Sequence, residues 1–261
     1  MDRKELLIII PAYNEEKNIP KVLDQLEKPE ITSIADVLVM NDASTDMTGE
    51  IVKARHHMLA THVYSLGYGS GLQLGYKYAV RRGYRYVIQM DADGQHDVCN
   101  IPGIYKRLKE KDESGKYPDI VLASRFMEGS SDFPVSSLKN LAYKMFRIMI
   151  RIYTGRRIAD PTTGLQGLSR RAFLYYSRYS QFDERYPDAN MITQMLLLQF
   201  QVAEIPAVMH ARTDGKSMHS GLKPVWYMLR MFLSVWIVVF RIKILKMDAG
   251  AGLKNVDRTW E

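Results

Sequence analysis

An α/β fold with a mostly parallel central sheet and helices on both faces is predicted by three observations. Short apolar runs alternate with helical stretches through the first half of the chain. The runs are predominantly apolar, as strands covered on both faces are. Polar, acid-bearing loops follow the strands, where open α/β sheets gather their ligands.

Taken in order, Leu6 to Ile10, Val37 to Met40, His62 to Leu66, Tyr86 to Met90 and Ile120 to Ala123 are predicted as buried strands. Between them, Glu15 to Glu27, Asp46 to Leu59, Gly71 to Arg82 and Ile101 to Lys111 are predicted as helices. A further helix is expected over Leu138 to Tyr153 and a strand over Val202 to Val208. Lys109 to Lys116 is a charged surface loop, and the tail after Met247 is expected to fray. Three domain-level pieces follow: a catalytic-size α/β unit over 1–217, an amphipathic helical segment over 218–247, and a flexible tail over 248–261.

At 261 residues, 46% of them hydrophobic, the chain can bury a real core. Lys plus Arg number 36 against 29 Asp plus Glu, and the resulting +7 suits an anionic partner without naming it. No nucleic-acid-binding motif accompanies that excess, so nucleic acid is not expected as a partner. Cys99 is the only cysteine, which excludes a disulfide framework and a thiolate metal cluster. The N-terminus enters a strand-like run directly with no signal-peptide layout, and a cytoplasmic location is expected.

Strand one runs into Pro11-Ala12-Tyr13-Asn14-Glu15-Glu16, strand two into Asn41-Asp42-Ala43-Ser44-Thr45-Asp46, and strand four into Asp91-Ala92-Asp93-Gly94-Gln95. In an extended segment alternate side chains point the same way, so Asp91 and Asp93 can face one ion. Hard cations such as Mg²⁺ bridge carboxylates to substrate phosphates, and Gln95 could add a third oxygen. The tripeptide alone reads as an acidic turn. Its place opposite two other acid-bearing loops makes a metal site the better reading. Asp42 is suited to accept hydrogen bonds from a nucleobase or ribose. Ser44 to Asp46 read mainly as helix caps, and Glu15 reads equally as a residue favoured by the helix dipole.

Two nucleotide motifs fail. Gly67-Tyr68-Gly69-Ser70-Gly71-Leu72 has leucine where a dinucleotide fingerprint needs its last glycine, and it follows the wrong strand. Gly215-Lys216-Ser217 looks like the end of a P-loop, but His210 stands where that loop needs glycine.

Together the three acid-bearing loops, the last extending to His96, resemble family 2 glycosyltransferases with the GT-A (Rossmann-like) fold. The resemblance covers roughly residues 5 to 217. Ala123-Ser124-Arg125-Phe126, Asp160-Pro161-Thr162-Thr163-Gly164-Leu165-Gln166 and Arg212-Thr213-Asp214-Gly215-Lys216-Ser217 resemble later motifs of the dolichol-phosphate mannosyltransferase group and its bacterial undecaprenyl-phosphate relatives. The resemblance implies a nucleotide-sugar donor, Mg²⁺ or Mn²⁺, and direct displacement with inversion. It implies that Pro11, Tyr13, Glu15 and Asp42 contact the nucleoside, and that Asp91, Asp93 and Gln95 surround the metal. Arg125 and Arg212 would meet phosphates, and Lys216 and Ser217 would lie on a loop closing over them. Relatives often carry a lysine or arginine in the Gly-x-Gly stretch where Tyr68 stands here.

The acceptor is argued from surface chemistry. Asn140, Lys144, Arg147 and Arg151 share one face of the helix predicted over 138–153, and Leu141, Met145, Ile148, Met149 and Ile152 form the opposite stripe. A basic amphipathic helix of this type lies in the headgroup region of an anionic membrane; a core-packed helix shows the same stripe. Val225 to Phe240 is almost wholly apolar and carries Trp226, Tyr227, Phe232 and Trp236, with Arg241, Lys243 and Lys246 after it. Its uninterrupted run is too short to span a bilayer, so an interfacial helix is expected, with a core helix or a contact to a second copy as the competing readings. These surfaces suggest a lipid phosphate at the inner face of the membrane as the acceptor; the resemblance implies that it is polyprenyl (undecaprenyl) phosphate and adds a small integral membrane partner. A phosphate is already anionic and needs no general base. Two rivals stand: transfer to a saccharide hydroxyl with Asp188 as base, where Asp188 reads equally as an N-cap, and a non-catalytic membrane scaffold. The residues do not identify the donor sugar; the resemblance to bacterial relatives implies UDP-glucose or UDP-N-acetylglucosamine, then GDP-mannose.

Overall fold

The computed structural model describes residues 4–131, 137–210, 223–248 and 251. Its elements, in chain order, are β1 (Leu6–Ala12), α1 (Ile19–Leu26), α2 (Pro29–Thr32), β2 (Ala35–Asn41), α3 (Thr48–Ala54), β3 (Met58–Thr61), α4 (Tyr68–Arg82), β4 (Tyr86–Gln89), α5 (Asn100–Leu108), β5 (Ile120–Ser124), α6 (Ser137–Thr154), β6 (Gln166–Ser169), α7 (Arg170–Tyr176), α8 (Ala189–Leu197), β7 (Val202–Pro206) and α9 (Lys223–Val239), which runs into a π-helical turn over Phe240–Ile244.

The sheet has seven strands in the order β3-β2-β1-β4-β6-β5-β7. Every pairing is parallel except those of β6, which runs antiparallel to both β4 and β5. All seven residues of β1 are buried, since helices cover both faces of the strand. One layer packs Leu7, Ile9, Leu38 and Met40 under α4, α7 and α8; the other packs Ile8, Ile10, Val37 and Val39 under α1 and α5. This is the GT-A-like α/β architecture expected.

Three sequence expectations differ from the structure. Strand three is Met58–Thr61, while 62–66 forms a loop in which Val63 is 95% exposed. Helix α3 ends at Ala54, four residues before that strand, because His56 turns into the left-handed region at φ 57°. The loop is drawn out of the ladder by Asp42, whose carboxylate takes the donors that a strand would have spent on pairing. Helix α4 begins before the predicted Gly71: Tyr68 and Gly69 form its first turn.

The predicted basic face of α6 is only partly solvated. Ala142, Phe146 and Ile150 form the buried face, and Arg147 folds its guanidinium over the Phe126 ring at 4.5 Å. The apolar stripe faces outward instead: Leu141, Met145, Ile148 and Ile152 are all exposed, Ile152 by 69%. Helix α9 lies against α6 and α8, with Phe232 stacked on Phe146 at 4.9 Å and Met231 in their shared cluster. Its other side exposes Trp226, Leu229, Leu233, Trp236 and Ile237, continued by Phe240 and Ile244 in the π-turn. No helix among the described residues is long and apolar enough to cross a membrane.

Candidate active site

The parallel strands β1, β2 and β4 bring the loops 12–16, 42–46 and 91–95 to one rim of the sheet. Because β6 runs the opposite way, the loop entering it, 160–165, arrives at the same rim. So does the segment after β7, where His210 N–H donates to Gln95 O at 2.8 Å and His96 bridges Met209.

The first two loops hold each other. Asn14 N–H donates to Ser44 Oγ, Thr45 N–H to Asn14 Oδ1, and Glu16 N–H to Asp46 Oδ2, all within 3.0 Å. Asp46 Oδ1 also accepts from Thr48 N–H at 3.0 Å, so of the residues read as caps only Asp46 meets the start of α3, while Ser44 and Thr45 bond Asn14 and tie the loops together. Pro11 is buried at the end of β1, Tyr13 stands half exposed beyond it, and Glu15 accepts from Asn18 Nδ2 at 2.7 Å.

Asp42 is occupied by its own chain. Oδ1 meets His62 Nδ1 at 2.7 Å and Leu66 N–H at 2.8 Å, and Oδ2 accepts from Ser65 Oγ at 2.7 Å and Gly67 N–H at 2.8 Å. Burial pushes this carboxyl up, but the hydrogen bonds outweigh it and hold it below the ordinary aspartate value. In this structure Asp42 organises the 62–67 loop, and a nucleobase would reach it only by displacing one of those donors.

Asp91 is gripped from three elements. Tyr68 on α4 donates to Oδ1 at 2.8 Å. The Asp91 N–H donates to His96 Nδ1 at 3.0 Å, which leaves the proton on Nε2, 3.7 Å from Oδ2. Gly164 closes the third side, since a Cβ there would lie 2.8 Å from Oδ2. Asp93 sits in its own turn, accepting from Gln95 N–H at 3.1 Å. The Gln95 amide nitrogen lies 3.5 Å from His210 O, which leaves the amide oxygen as the end available to an ion. Among the described residues no three Asp, Glu, His or Cys side chains converge on one point. A cation held by Asp91, Asp93 and Gln95 would therefore need oxygens from outside the protein, as Mg²⁺ or Mn²⁺ on a diphosphate has.

Arg125 is clamped from behind. Its Nε and Nη2 form a bidentate pair with fully buried Asp160, each at 2.7 Å, and Nη2 reaches Thr162 Oγ1 at 2.8 Å. Burial works against the charge, but the Asp160 pair more than restores it, and the guanidinium stays charged. Arg212, Lys216 and Ser217 lie outside the described residues, although His210, two positions before Arg212, is anchored to Asp97 at 2.7 Å.

Asp188 occupies the N-cap position of α8, yet its side chain caps nothing and accepts the Tyr227 hydroxyl of α9. Burial pushes its carboxyl from 3.8 up to about 7, against the lowering effects of the Tyr227 hydroxyl and the Arg125 charge. With the folded-state value above the ordinary one, deprotonation opposes folding. The penalty is absent below about pH 4, grows toward pH 7 and is full above it. Asp188→Asn is therefore expected to raise the melting temperature at pH 8 by roughly 2–4 °C, about 1 kcal/mol at this chain length, and to leave it unchanged at pH 4. Scanning fluorimetry at both values checks this; an equal shift at both would remove the account.

Sequence reasoning singled out neither Tyr68, His96 nor Gly164 as a support for Asp91, nor Tyr227 as the partner of Asp188. His96 and Gly164 stood inside quoted motifs, so their position was visible and their task was not.

The glycosyl transferase family 2 model matches residues 7–176. The chain belongs to that family and is a glycosyltransferase. It is 26% identical over 223 residues to the undecaprenyl-phosphate mannosyltransferase of Micrococcus luteus, covering 83% of this chain and 88% of that protein. It is 28% identical over 233 residues to a dolichyl-phosphate beta-glucosyltransferase of Trichomonas vaginalis, covering 82% of this chain and 66% of the relative. Among solved structures, glucosyl-3-phosphoglycerate synthase of Mycobacterium tuberculosis with Mn²⁺ and UDP-glucose superposes with a TM-score of 0.65 at 17% identity, covering 91% of this chain and 79% of that one. That likeness concerns the fold.

Proposed function

We propose that this chain moves a hexose or N-acetylhexosamine from a nucleotide sugar to a polyprenyl phosphate at the cytoplasmic face of a membrane, with inversion, for the assembly of surface glycans. UDP sugars are favoured as donors, with GDP-mannose as the alternative. The single observation that carries this reading is the Asp91–Asp93 loop, held from three sides at the sheet rim, in a chain whose relatives act on lipid phosphates.

Asp91, Asp93 and Gln95 would hold Mg²⁺ or Mn²⁺ on the donor diphosphate. The ion would supply charge stabilisation to the leaving group. An acceptor phosphate oxygen attacks the anomeric carbon as the bond from that carbon to the diphosphate breaks, and the electron pair leaves with the nucleoside diphosphate. The acceptor oxygen is already anionic, so no side chain has to remove a proton. Arg125, fixed by Asp160, would contribute positive charge beside the reacting phosphates; Arg212, Lys216 and Ser217 are proposed as further phosphate contacts from the sequence motif alone.

The outward stripes of α6 and α9 support the membrane assignment. Leu141, Met145, Ile148, Ile152, Trp226, Leu229, Leu233 and Trp236 expose apolar surface that a water-facing helix has no use for, and exposed Lys144, Arg151, Lys243 and Lys246 suit anionic headgroups. Residues 218–247 would then form an interfacial segment appended to the catalytic unit.

A second reading has its own observation. Asp188, pushed up to about 7, has the proton affinity of a general base for a saccharide hydroxyl. One assay separates the two. Purified protein is given Mn²⁺ and a labelled UDP or GDP sugar, with undecaprenyl phosphate in anionic vesicles or with soluble saccharides. Label is expected in the lipid fraction, and Asp188→Asn is expected to keep most of that activity. Label confined to saccharide and lost in Asp188→Asn would sink the lipid reading.

A further inference from the structure

Tyr68 joins two parts of the rim that the chemistry treats separately. Its hydroxyl donates to Asp91 Oδ1 at 2.8 Å from the first turn of α4. That turn is set hard against the segment carrying Asp188. Ser70 N–H donates to Glu184 O at 2.9 Å, and a Cβ on Gly69 would lie 2.1 Å from Asp183 O. The 183–190 segment is fastened in turn by Asp183, which accepts Asn190 Nδ2 at 2.9 Å, and by Asn190 reaching Ser234 of α9 at 2.8 Å. The backbone that carries Tyr68 is therefore held in place, and the hydroxyl reaches Asp91 from a fixed turn.

A carboxylate at the edge of a cleft has two or three rotamers of similar energy and loses free energy when an ion selects one of them. Asp91 has much of that choice removed in advance, by the Tyr68 hydrogen bond on Oδ1 and by the close approach of Gly164 to Oδ2, with His96 Nε2 a further 3.7 Å neighbour there. Asp93 is supported within its own turn by the Gln95 N–H. A phenol does this without adding charge. A lysine or arginine at the same place would neutralise Asp91 and weaken the attraction of the loop for a divalent cation.

From this arrangement we infer that Tyr68 is a positioning residue for the metal–diphosphate site: it pre-sets the Asp91 carboxylate for the cation while leaving its negative charge in place. The inference rests on the metal-dependent reading proposed above and assigns a task to a side chain that touches neither donor nor acceptor. It also gives the α4 turn a reason to be packed so closely on the 183–184 backbone, because the hydroxyl is only as well placed as the turn that carries it.

The test uses the full-length protein and two variants. Tyr68→Phe removes only the hydroxyl; Tyr68→Lys substitutes a charge. Mn²⁺ binding is followed by the loss of the free-ion EPR signal, with UDP or GDP present, whichever the unaltered protein retains. Melting temperature without ligand serves as the folding control. Tyr68→Phe is expected to weaken Mn²⁺ binding about 10-fold, the scale on which loss of an outer-shell partner acts, with the melting temperature held within about 2 °C. The KM for donor at limiting Mn²⁺ is expected to rise with it, and excess Mn²⁺ is expected to restore most of kcat. Tyr68→Lys is expected to bind Mn²⁺ more weakly than Tyr68→Phe. Unchanged Mn²⁺ affinity in Tyr68→Phe, or a kcat loss that excess Mn²⁺ leaves untouched, overturns the inference. Should Tyr68→Lys bind Mn²⁺ as well as the unaltered protein, the charge argument fails. If the unaltered protein retains no Mn²⁺ with either nucleotide, the metal-dependent reading itself falls, and the inference with it.

Discussion

Replacing Asp93 with alanine is expected to slow sugar transfer by about 1,000-fold or more while leaving the fold intact. The size follows from what a metal contributes at a leaving diphosphate: several kcal/mol of charge stabilisation, at about 1.4 kcal/mol per factor of ten. The selectivity follows from the surroundings. Asp93 is half-buried, sits in a turn closed by Gln95 N–H and belongs to none of the hydrophobic core clusters, so its loss is expected to change stability by about 1 kcal/mol or less. Asp91 is a poorer choice for the same test, since Tyr68 and His96 would lose their partner along with the cation. Transfer of labelled sugar to undecaprenyl phosphate, measured over a Mn²⁺ series, reads the effect. An Asp93→Ala enzyme that keeps the unaltered rate would remove the metal from the mechanism.

What the sequence made legible follows from how each element is buried. Strands β1, β2, β4 and β5 are dominated by apolar residues on both faces and announce themselves as hydrophobic runs. Strand β6 has no such run: Gln166-Gly167-Leu168-Ser169 joins the sheet because Gly167 lets α5 approach, where a Cβ would lie 2.2 Å from Ile104. Nothing local signals that contact. Helix α8 is buried from Ala189 to Leu196 on every side, so it lacks the one-sided periodicity by which helices are recognised. The loop 62–66 misled for the opposite reason. Val63, Tyr64 and Leu66 read as strand residues, yet all three are exposed, because the neighbouring donors go to Asp42.

The candidate site divides along the same line. Its location was legible, because chain order alone sends the three acid-bearing loops to one rim once the sheet is parallel. Its internal wiring was not. That Asp42 spends its oxygens on the 62–67 loop, that Arg125 answers to Asp160, and that Asp188 faces Tyr227 some forty positions away are facts of tertiary contact. Charged residues in a cleft are read from sequence as facing ligand; here several of them first satisfy each other, as buried polar groups must.

The Arg125–Asp160 pair is where that mutual satisfaction carries the most free energy. Asp160 is fully buried and takes the Arg125 backbone N–H as well as both guanidinium nitrogens, while its own N–H goes to Glu204 at 2.9 Å. Asp160→Ala leaves a largely buried guanidinium that cannot shed its proton, with Thr162 in place of its bidentate carboxylate, and removal of one partner of such a pair costs about 3–5 kcal/mol. Urea denaturation is expected to show that loss. The double variant Arg125→Met with Asp160→Ala is expected to regain much of it, because no charge is then stranded. The consequence extends to the rim. Asp160 begins the loop that brings Gly164 against Asp91, so the single variant is also expected to weaken Mn²⁺ binding, whereas a pair that served only stability would leave it unchanged. An Asp160→Ala protein within about 1 kcal/mol of the unaltered chain would mean that water or another side chain takes up the guanidinium, and the clamp on Arg125 would lose its claim to orient a phosphate.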